Sequence, residues 1–295
     1  MRAGIALGVL LVLAACGGAK EPEGPAIVVY ATGEEGDVLT ELLADFTDET
    51  GVPVAIHWGN SADNADRLIE KSGIPADVLI TDNIVDAWRV ADNGAFRPLQ
   101  APAVAELHSS LKDPDGYWAA IDVRTLVIVH RSDARPLPAS YNDLGSTEFM
   151  GRVCLSSSQR SINHSLIAFL IDEKGLKDTE RLVRRWVKNL ALPPFASEVA
   201  MLDAMRAGDC DYGIASMADD LDGLTPFSPR PPFIDASVVG VGRHAQQPES
   251  AHLLVDWLLR TRKIEFQTGD SPPFVGTVGW RDEEVRLLAE RAGYR

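Results

Sequence analysis

Residues 26–58, AIVVYATGEEGDVLTELLADFTDETGVPVAIHW, contain a strand, a helix and a second strand in succession. Residues 26–30 are a β-branched run, and from 37 to 50 the apolar residues recur at helical spacing. Gly51 predicts the end of that helix, and residues 52–58 alternate as a second strand does. This β-α-β order predicts an α/β fold with a mostly parallel sheet covered by helices.

The alternation of strands and helices continues beyond residue 58. Helical periodicity covers 63–72 and 84–92, and the apolar strand 78–80 lies between them. Because ligands of such sheets bind beyond the carboxyl ends of the strands, the segments after the strands should share one rim. These segments are residues 31–35, 59–63 and 81–83.

The second half of the chain predicts a further αβ unit. Residues 118–130 form a long β-rich stretch interrupted by Arg124, and strands and helices then alternate from about 131 to 230. Four prolines in residues 226–232 predict no regular element there, because proline lacks the N–H that a sheet ladder uses. The last predicted elements are a strand at 236–241 and helices at 248–259 and 282–292.

The N-terminal sequence is typical of an exported lipoprotein. Residues 3–13 are apolar and uncharged, a run shorter than the roughly 20 residues that span a bilayer. Small residues then lead into Cys16, which resembles a bacterial lipobox with an acylated cysteine. We expect a signal peptide at 1–15 and a lipidated tether at 16–24. This places the protein in the periplasm or at the extracytoplasmic face, anchored to a membrane by lipid. An ordinary cleaved signal and an apolar N-terminal strand are the alternatives.

Charge and missing motifs exclude several classes of protein. The formal net charge is -15, which argues against a nucleic-acid partner, because phosphate binding depends on Lys and Arg. Gly33 and Gly36 do not form a dinucleotide-binding or phosphate-binding motif. The nucleophile motif G-x-S-x-G is also absent, so we do not expect an enzyme.

Apart from Cys16, the chain has two cysteines, Cys154 and Cys210. In an exported protein they are candidates for one disulfide, and two buried free thiols are the alternative.

A family resemblance rests on the order of short motifs along the chain. The motifs are Ile27-Val-Val-Tyr30, Phe46-Thr-Asp-Glu-Thr-Gly51, Pro75-Ala-Asp77, Gly94-Ala-Phe-Arg-Pro-Leu99, Arg124-Thr-Leu-Val-Ile-Val-His130, Leu137-Pro-Ala-Ser-Tyr-Asn-Asp-Leu144, Ala204-Met-Arg-Ala-Gly208, Gly240-Val-Gly242 and Pro248-Glu-Ser-Ala-His-Leu-Leu-Val-Asp-Trp-Leu-Leu259. In this order the chain resembles the periplasmic ferric-iron-binding proteins, a branch of the extracellular solute-binding proteins that serve ABC importers.

The resemblance implies a two-lobe periplasmic-binding-protein fold of type II, with two β-strand hinges and a ligand cleft between the lobes. It implies an N-terminal lobe of residues 25–128 and 235–270 and a C-terminal lobe of residues 129–234 and 271–295. A monomer is expected, and the implied partners are a small solute and the ABC permease and ATPase subunits. The strands that carry Cys154 and Cys210 are close in the family fold, which is compatible with a disulfide.

The ligand site departs from the family pattern. The family's adjacent tyrosines would fall at Ala218 and Asp219, and the family's histidine at about Glu34. A carboxylate set of Glu34, Asp63 and Asp219 is a possible replacement, because hard cations take oxygen ligands. No cofactor is expected, and Fe(III) would be the transported ligand. The alternative is that these acids are exposed loop charges. For His57 and His164 we expect a packing or hydrogen-bonding role and not metal ligation.

The second half of the site is predicted at Ser156, Ser157, Ser158 and Gln159, where a strand leads into a helix. Free amides at a helix N-terminus favour anions, although plain helix capping would also explain the serines. Arg124 is expected in a structural ion pair or against the ligand. The complete set expected at the cleft is Glu34, Gly59, Asn60, Ser61, Asp63, Asn83, Arg124, Ser156, Ser157, Ser158, Gln159, Ser216, Asp219 and Asp220.

Acids on one rim and anion donors on the other suit two classes of solute. One is Fe(III) or another metal held with a synergistic anion. The other is a small organic ion, such as a phosphonate, a phosphate ester, an amine or a zwitterion. A sensory or adhesive lipoprotein that does not take part in transport is a further alternative.

Overall fold

The structure is a computed structural model that describes residues 24–33, 38–217, 221–230, 232–262 and 281–295. The predicted signal peptide at 1–15 and the tether up to residue 23, with Cys16, lie outside the described residues. So do Glu34, Gly36, Ala218, Asp219 and Asp220.

Strands and helices alternate through most of the described chain. The strands are β1 (Ile27–Thr32), β2 (Val54–Gly59), β3 (Val78–Thr81), β4 (Phe96–Arg97), β5 (Trp118–Arg131), β6 (Val153–Cys154), β7 (Tyr212–Ser216), β8 (Leu224–Phe227) and β9 (Phe233–Gly242). The α-helices are α1 (Val38–Thr50), α2 (Ser61–Glu70), α3 (Ile84–Asp92), α4 (Ser161–Lys174), α5 (Leu176–Asn189), α6 (Glu198–Ala207), α7 (Pro248–Thr261) and α8 (Asp282–Ala292). Short 3-10 helices cover Pro102–Glu106, Ser109–Leu111, Asp143–Gly145 and Thr147–Phe149. No helix in these ranges is long and apolar enough to cross a membrane.

The strands form one mixed sheet in the order β2-β1-β3-β9-β5-β7-β6, with β4 paired to β9 and β8 paired to β5. β1 is parallel to β2 and β3, as the β-α-β pattern predicts. The two long strands β5 and β9 are antiparallel to each other and to their other neighbours. β6 is parallel to β7, so the sheet is parallel at both ends and antiparallel through its middle.

The middle of the sheet narrows to two strands. β3 pairs with β9 from Val238 onward, and β7 pairs with β5 from Leu126 onward. Between these points residues 122–125 of β5 lie opposite residues 234–237 of β9. We call this segment the two-stranded ribbon. Arg124 lies within β5, which continues through it without a break, and its partner in the ladder is Asp235.

Packing differs on the two sides of the ribbon. α1 and α7 cover the sheet around β1 and β3, where Phe46 and Leu254 are fully buried. Beyond the ribbon, α4, α5 and α8 pack against one another. Cys154 and Cys210 lie in a smaller apolar cluster next to β7 and are joined by a disulfide with a Cα–Cα distance of 5.9 Å. Burial of the apolar helix faces is the main force that holds these layers together.

Two sequence predictions about the strands are wrong. Residues 226–232 were expected to hold no regular element, but Pro226 lies in β8, opposite Val129. A proline is tolerated there because β8 is an edge strand, where an N–H is not needed on the outer side. β9 begins at Phe233 instead of residue 236, because its first residues pair with β5.

Candidate functional site

A cleft of about 480 Å³ lies between the ends of β1, β2 and β3 and the start of α4. Its size is within the usual range for small-molecule sites. The first wall consists of Thr32, Asn60, Ser61, Ala62, Asp82, Asn83, Val85 and Asp86. The second wall consists of Ser157, Gln159, Arg160, Ser161, His164 and Ala196. The first wall follows strand ends, as expected for the rim of a parallel sheet.

Asn83 organises the first wall. Its Oδ1 accepts a hydrogen bond from the Asp86 amide at 2.8 Å and so caps α3. Its Nδ2 lies 3.1 Å from Ser61 Oγ, 3.0 Å from Asp82 Oδ1 and 2.8 Å from Asp86 Oδ2. Three oxygens thus share the two protons of one amide group. Burial raises the pKa of Asp86, while hydrogen bonds from Asn83 and Ser61 oppose the increase.

The second wall is built on the start of α4. Arg160 is the N-cap residue of α4 and makes no side-chain capping bond, and its guanidinium is 3.9 Å from the buried carboxylate of Glu198. Asn163 Nδ2 donates to Ser156 Oγ at 2.8 Å and to the Ser157 carbonyl at 2.9 Å. This fixes the loop before the helix. The wall therefore presents a cation, a hydroxyl and an amide side chain, which suit an anionic group.

The two-stranded ribbon supports the loop that carries Asp82 and Asn83. Arg124 Nη2 donates to the Asp82 carbonyl. Asp235 Oδ1 accepts from the amides of Ile84 at 3.3 Å and of Ala236 at 2.9 Å. Asp235 is fully buried, and burial raises its pKa to about 7 although Arg124 acts in the opposite direction.

A larger hollow of about 720 Å³ lies elsewhere, between the start of α7 and the chain after β4. Two of its polar side chains are already used within the fold. His252 Nδ1 accepts from the Gln100 amide at 3.2 Å, and Asp256 Oδ1 accepts from the Ala103 amide at 2.8 Å. Because this hollow does not lie at the carboxyl ends of the parallel strands β1 to β3, we consider the smaller cleft the better candidate site.

The structure brings five of the expected site residues together at the cleft. They are Asn60, Ser61, Asn83, Ser157 and Gln159. Asn60 also caps α2, with Oδ1 accepting from the Ala62 amide at 2.9 Å.

Six other expected residues do not line the cleft. They are Gly59, Asp63, Arg124, Ser156, Ser158 and Ser216. Ser156 and Ser158 bind the end of α8 instead: the Ser156 carbonyl accepts from Tyr294 Oη at 2.6 Å, and Ser158 Oγ donates to the Tyr294 carbonyl at 2.7 Å. Arg124 holds Asp82, and the Ser216 amide donates to Glu198.

Gly59 and Asp63 were expected at the cleft but lie elsewhere on β2 and α2. A Cβ at Gly59 would lie 2.9 Å from Asn64 Oδ1, so Gly59 permits close packing of β2 on α2. Asp63 is exposed on the first turn of α2. Since Glu34 and Asp219 are not described, Asp63 is the one member of the expected metal set that can be located. Within the described residues, no group of three or more His, Cys, Asp or Glu could hold a metal ion.

Several cleft residues were not selected from the sequence: Thr32, Asp82, Asp86, Ser161 and His164. Thr32 and Asp82 lie within the segments expected along the rim, so topology indicated their position. Ser161 and His164 are three residues apart and therefore share a face of α4, which the helical period alone could have shown. The sequence did not single out Asp86, because acidic residues are common in the first turn of a helix, where they stabilise the helix dipole.

The chain was compared with known proteins. The sequence profile of the family described as "Bacterial extracellular solute-binding protein" matches residues 74–228. The chain is 28% identical over 279 residues to "Iron uptake protein A1" of Synechocystis sp., with 84% of this chain and 76% of the relative covered. It is 28% identical over 193 residues to the "Fe(3+)-binding periplasmic protein" of Serratia marcescens, with 64% of this chain and 56% of the relative covered.

Solved structures with the same fold were also found. The Trichodesmium protein IdiA (FutA), in complex with iron and citrate, gives a TM-score of 0.79 at 23% identity, covering 92% of this chain and 100% of that chain. The ferric binding protein from Campylobacter jejuni gives a TM-score of 0.82 at 18% identity, covering 91% of this chain and 100% of that chain.

Proposed function

This chain belongs to the family of bacterial extracellular solute-binding proteins, and from that premise we propose that it is the lipid-anchored solute receptor of an ABC importer, which binds ferric iron together with an oxyanion in the cleft. The family expected from the sequence is confirmed, as is the two-lobe α/β fold of the type II periplasmic-binding proteins. The family argues for solute binding and against catalysis. Relatives named for iron support the choice of ferric iron.

One observation carries the proposal: an oxygen-rich wall faces a wall with Arg160 and the start of α4 across a single cleft. Hydroxyl, amide and carboxylate oxygens suit a hard cation. A guanidinium and donors at the start of a helix suit an oxyanion. A ferric complex with a small oxyanion has both kinds of surface, so it matches both walls at once.

We further propose that the oxyanion supplies most of the iron ligands. No tyrosine lines the described cleft. Of its two carboxylates, Asp82 accepts a hydrogen bond from Ser161, and Asp86 is buried beneath Asn83. Few charged oxygens of this wall are therefore free to replace the phenolates that are typical of the family. The protein would recognise the ferric complex as a whole through its surface.

The lobe division is part of the same proposal. Residues 25–128 and 235–270 form one lobe, and residues 129–234 and 271–295 form the other. The supporting observation is that β1 to β4 lie on one side of the two-stranded ribbon and β6 to β8 on the other. A ribbon two strands wide bends more easily than a broad sheet, and closure would then occur by hinge motion.

A small organic ion, such as a phosphonate, a phosphate ester or a zwitterion, is the second candidate solute. It is favoured by the absence of a metal-ligating cluster among the described residues. It would use the same hydroxyl, amide and guanidinium groups without any metal.

Thermal unfolding of the purified protein decides between the candidates. Fe(III) supplied with citrate should raise the melting temperature, because a ligand at 100 times its Kd adds about 2.7 kcal/mol to the stability of the folded state. Citrate alone and phosphonates should have little effect. The variants Ser157→Ala and Arg160→Gln should each weaken ferric citrate binding by roughly tenfold, since each removes a donor to a charged group.

The control is Arg184→Gln, which removes a guanidinium that is ion-paired to Glu180 on α5. It should bind like the wild type. Stabilisation by a phosphonate with no response to ferric citrate would favour the organic ion, and no response to either would remove both solutes.

Lipid anchoring at Cys16 is tested separately. Cells grown with labelled palmitate should incorporate the label into the wild-type protein, and the protein should fractionate with membranes. Cys16→Ser should lose both properties, because the acylated thiol would be missing. Incorporation of label into Cys16→Ser, or membrane fractionation without any label, would show that the attachment is different.

A further inference from the structure

Asp82 contacts three parts of the molecule at once. Its Oδ2 accepts a hydrogen bond from Ser161 Oγ at 2.8 Å, and its Oδ1 lies 3.0 Å from Asn83 Nδ2. Its carbonyl accepts from Arg124 on the two-stranded ribbon. One residue is therefore bound to the first wall, the second wall and the ribbon.

The bond to Ser161 crosses the cleft. Asp82 directly follows β3 in the first wall, whereas Ser161 is the first residue of α4 in the second wall, 79 positions later. The acceptor is a carboxylate, and the bond is partly buried. Charge-assisted bonds of this kind are roughly twice as strong as neutral ones, and partial burial protects them from screening by salt.

The ribbon fixes the position from which Asp82 reaches across. Arg124 holds the Asp82 carbonyl, and Asp235 on the opposite strand accepts from the Ile84 amide. Both strands of the ribbon therefore form a hydrogen bond with the same short loop. Arg124 Nε and Asp235 Oδ2 are buried and lack a hydrogen-bond partner within the described chain. The Arg124 and Asp235 side chains each form a hydrogen bond with this loop.

We propose that Asp82 is a positioning residue that ties the two walls of the cleft together through Ser161 and thereby sets the rate at which a bound solute leaves. The ribbon links this contact to lobe motion: when the ribbon bends, the loop moves with it, and the Asp82–Ser161 bond must break before the walls can separate. The inference rests on the proposed function only in treating this cleft as the solute site.

A double-mutant cycle tests the contact. The variants are Asp82→Ala, Ser161→Ala and the double variant. The first readout is the rate at which ferric citrate dissociates, measured with a chelator as competitor. Each single variant should raise this rate about tenfold, the value expected for a lost hydrogen bond to a charged group. The double variant should dissociate no faster than either single variant, because all three lack the same bond.

The second readout does not need a solute. Spin labels on Glu70→Cys and Val199→Cys, both exposed, report the distance between α2 and α6 on the two sides of the cleft. In the wild type this distance should be narrowly distributed, and each single variant should broaden it toward longer values. Asp82→Asn keeps an acceptor of the same shape and should have a smaller effect than Asp82→Ala. Asp92→Asn and Ser109→Ala, at exposed positions, are the controls and should behave like the wild type.

The outcomes separate this inference from the proposed function. If ferric citrate does not bind the wild type, the proposed solute is wrong, and the distance measurement alone still decides on the Asp82–Ser161 contact. Unchanged distances and rates in both single variants would overturn the inference. So would effects that multiply in the double variant, because that result would mean that Asp82 touches the solute and Ser161 acts independently.

Discussion

At the residue scale, the environment of Asp235 makes the charge of this side chain sensitive to pH near neutrality. It is fully buried at the ribbon, and burial raises its pKa from 3.8 to about 7. Between these two pH values the folded protein holds a proton that the unfolded chain has released. The free energy of unfolding therefore falls as the pH rises through this window. From pH 5 to pH 8 this residue lowers the free energy of unfolding by roughly 3 kcal/mol. The loss accumulates over the two pH units between pH 5 and the pKa of about 7, at about 1.36 kcal/mol per unit.

Asp235→Asn should remove this dependence, because the amide does not titrate. From pH 5 to pH 8 the wild type should lose a few kcal/mol of unfolding free energy relative to Asp235→Asn. Urea unfolding at several pH values measures it. Asp86 and Asp113, whose pKa values burial also raises, are present in both proteins and cancel in the difference. The unfolding free energy of Asp92→Asn should change with pH in the same way as that of the wild type. The same pH dependence for Asp235→Asn would contradict the prediction.

At the scale of the elements, the disulfide joins the end of β6 to Cys210, two residues before the start of β7. Cys154 and Cys210 are 56 positions apart and almost completely buried. A bridge that closes a loop of this length restricts the unfolded chain, an effect worth roughly 4 kcal/mol in the chain-entropy account.

Replacing both cysteines with alanine should lower the free energy of unfolding by about 2–4 kcal/mol. Alanine is preferred to serine because a buried hydroxyl would add its own cost. Urea unfolding with and without dithiothreitol measures the effect. The reductant should bring the wild type close to the Cys154→Ala/Cys210→Ala variant and leave that variant unchanged. Equal stability of the two proteins without reductant would show that the bridge contributes nothing.

At the scale of the whole molecule, the elements that local sequence determines were predicted best. The helices at 84–92 and 282–292 were expected with the bounds that the structure has. Apolar periodicity and end signals lie within each helix, so no distant residue is needed to recognise them. β8 could not be found in this way. Its ladder partners in β5 lie almost one hundred residues earlier, and the pairing overrides the local preference of Pro226.

The candidate site was predictable to the level of the loop but not of the side chain. Chain order places Asn60, Ser61 and Asn83 at strand ends, and these residues do line the cleft. Sequence could not distinguish Ser157, which lines the cleft, from its neighbours Ser156 and Ser158. Which hydroxyl turns toward the cleft depends on contacts with α4 and α8, and these contacts exist only in the folded chain.

The bonds between Tyr294 and the Ser156–Ser158 loop have a consequence for biosynthesis. The two bonds join residues 138 and 136 positions apart, so one support of this cleft wall is made long after the wall itself. Chains are synthesised from the N-terminus at about 5–20 residues per second, which leaves this loop without Tyr294 for roughly ten seconds or more. The cleft wall at residues 156–158 is therefore completed only after the last residues of the chain have been made.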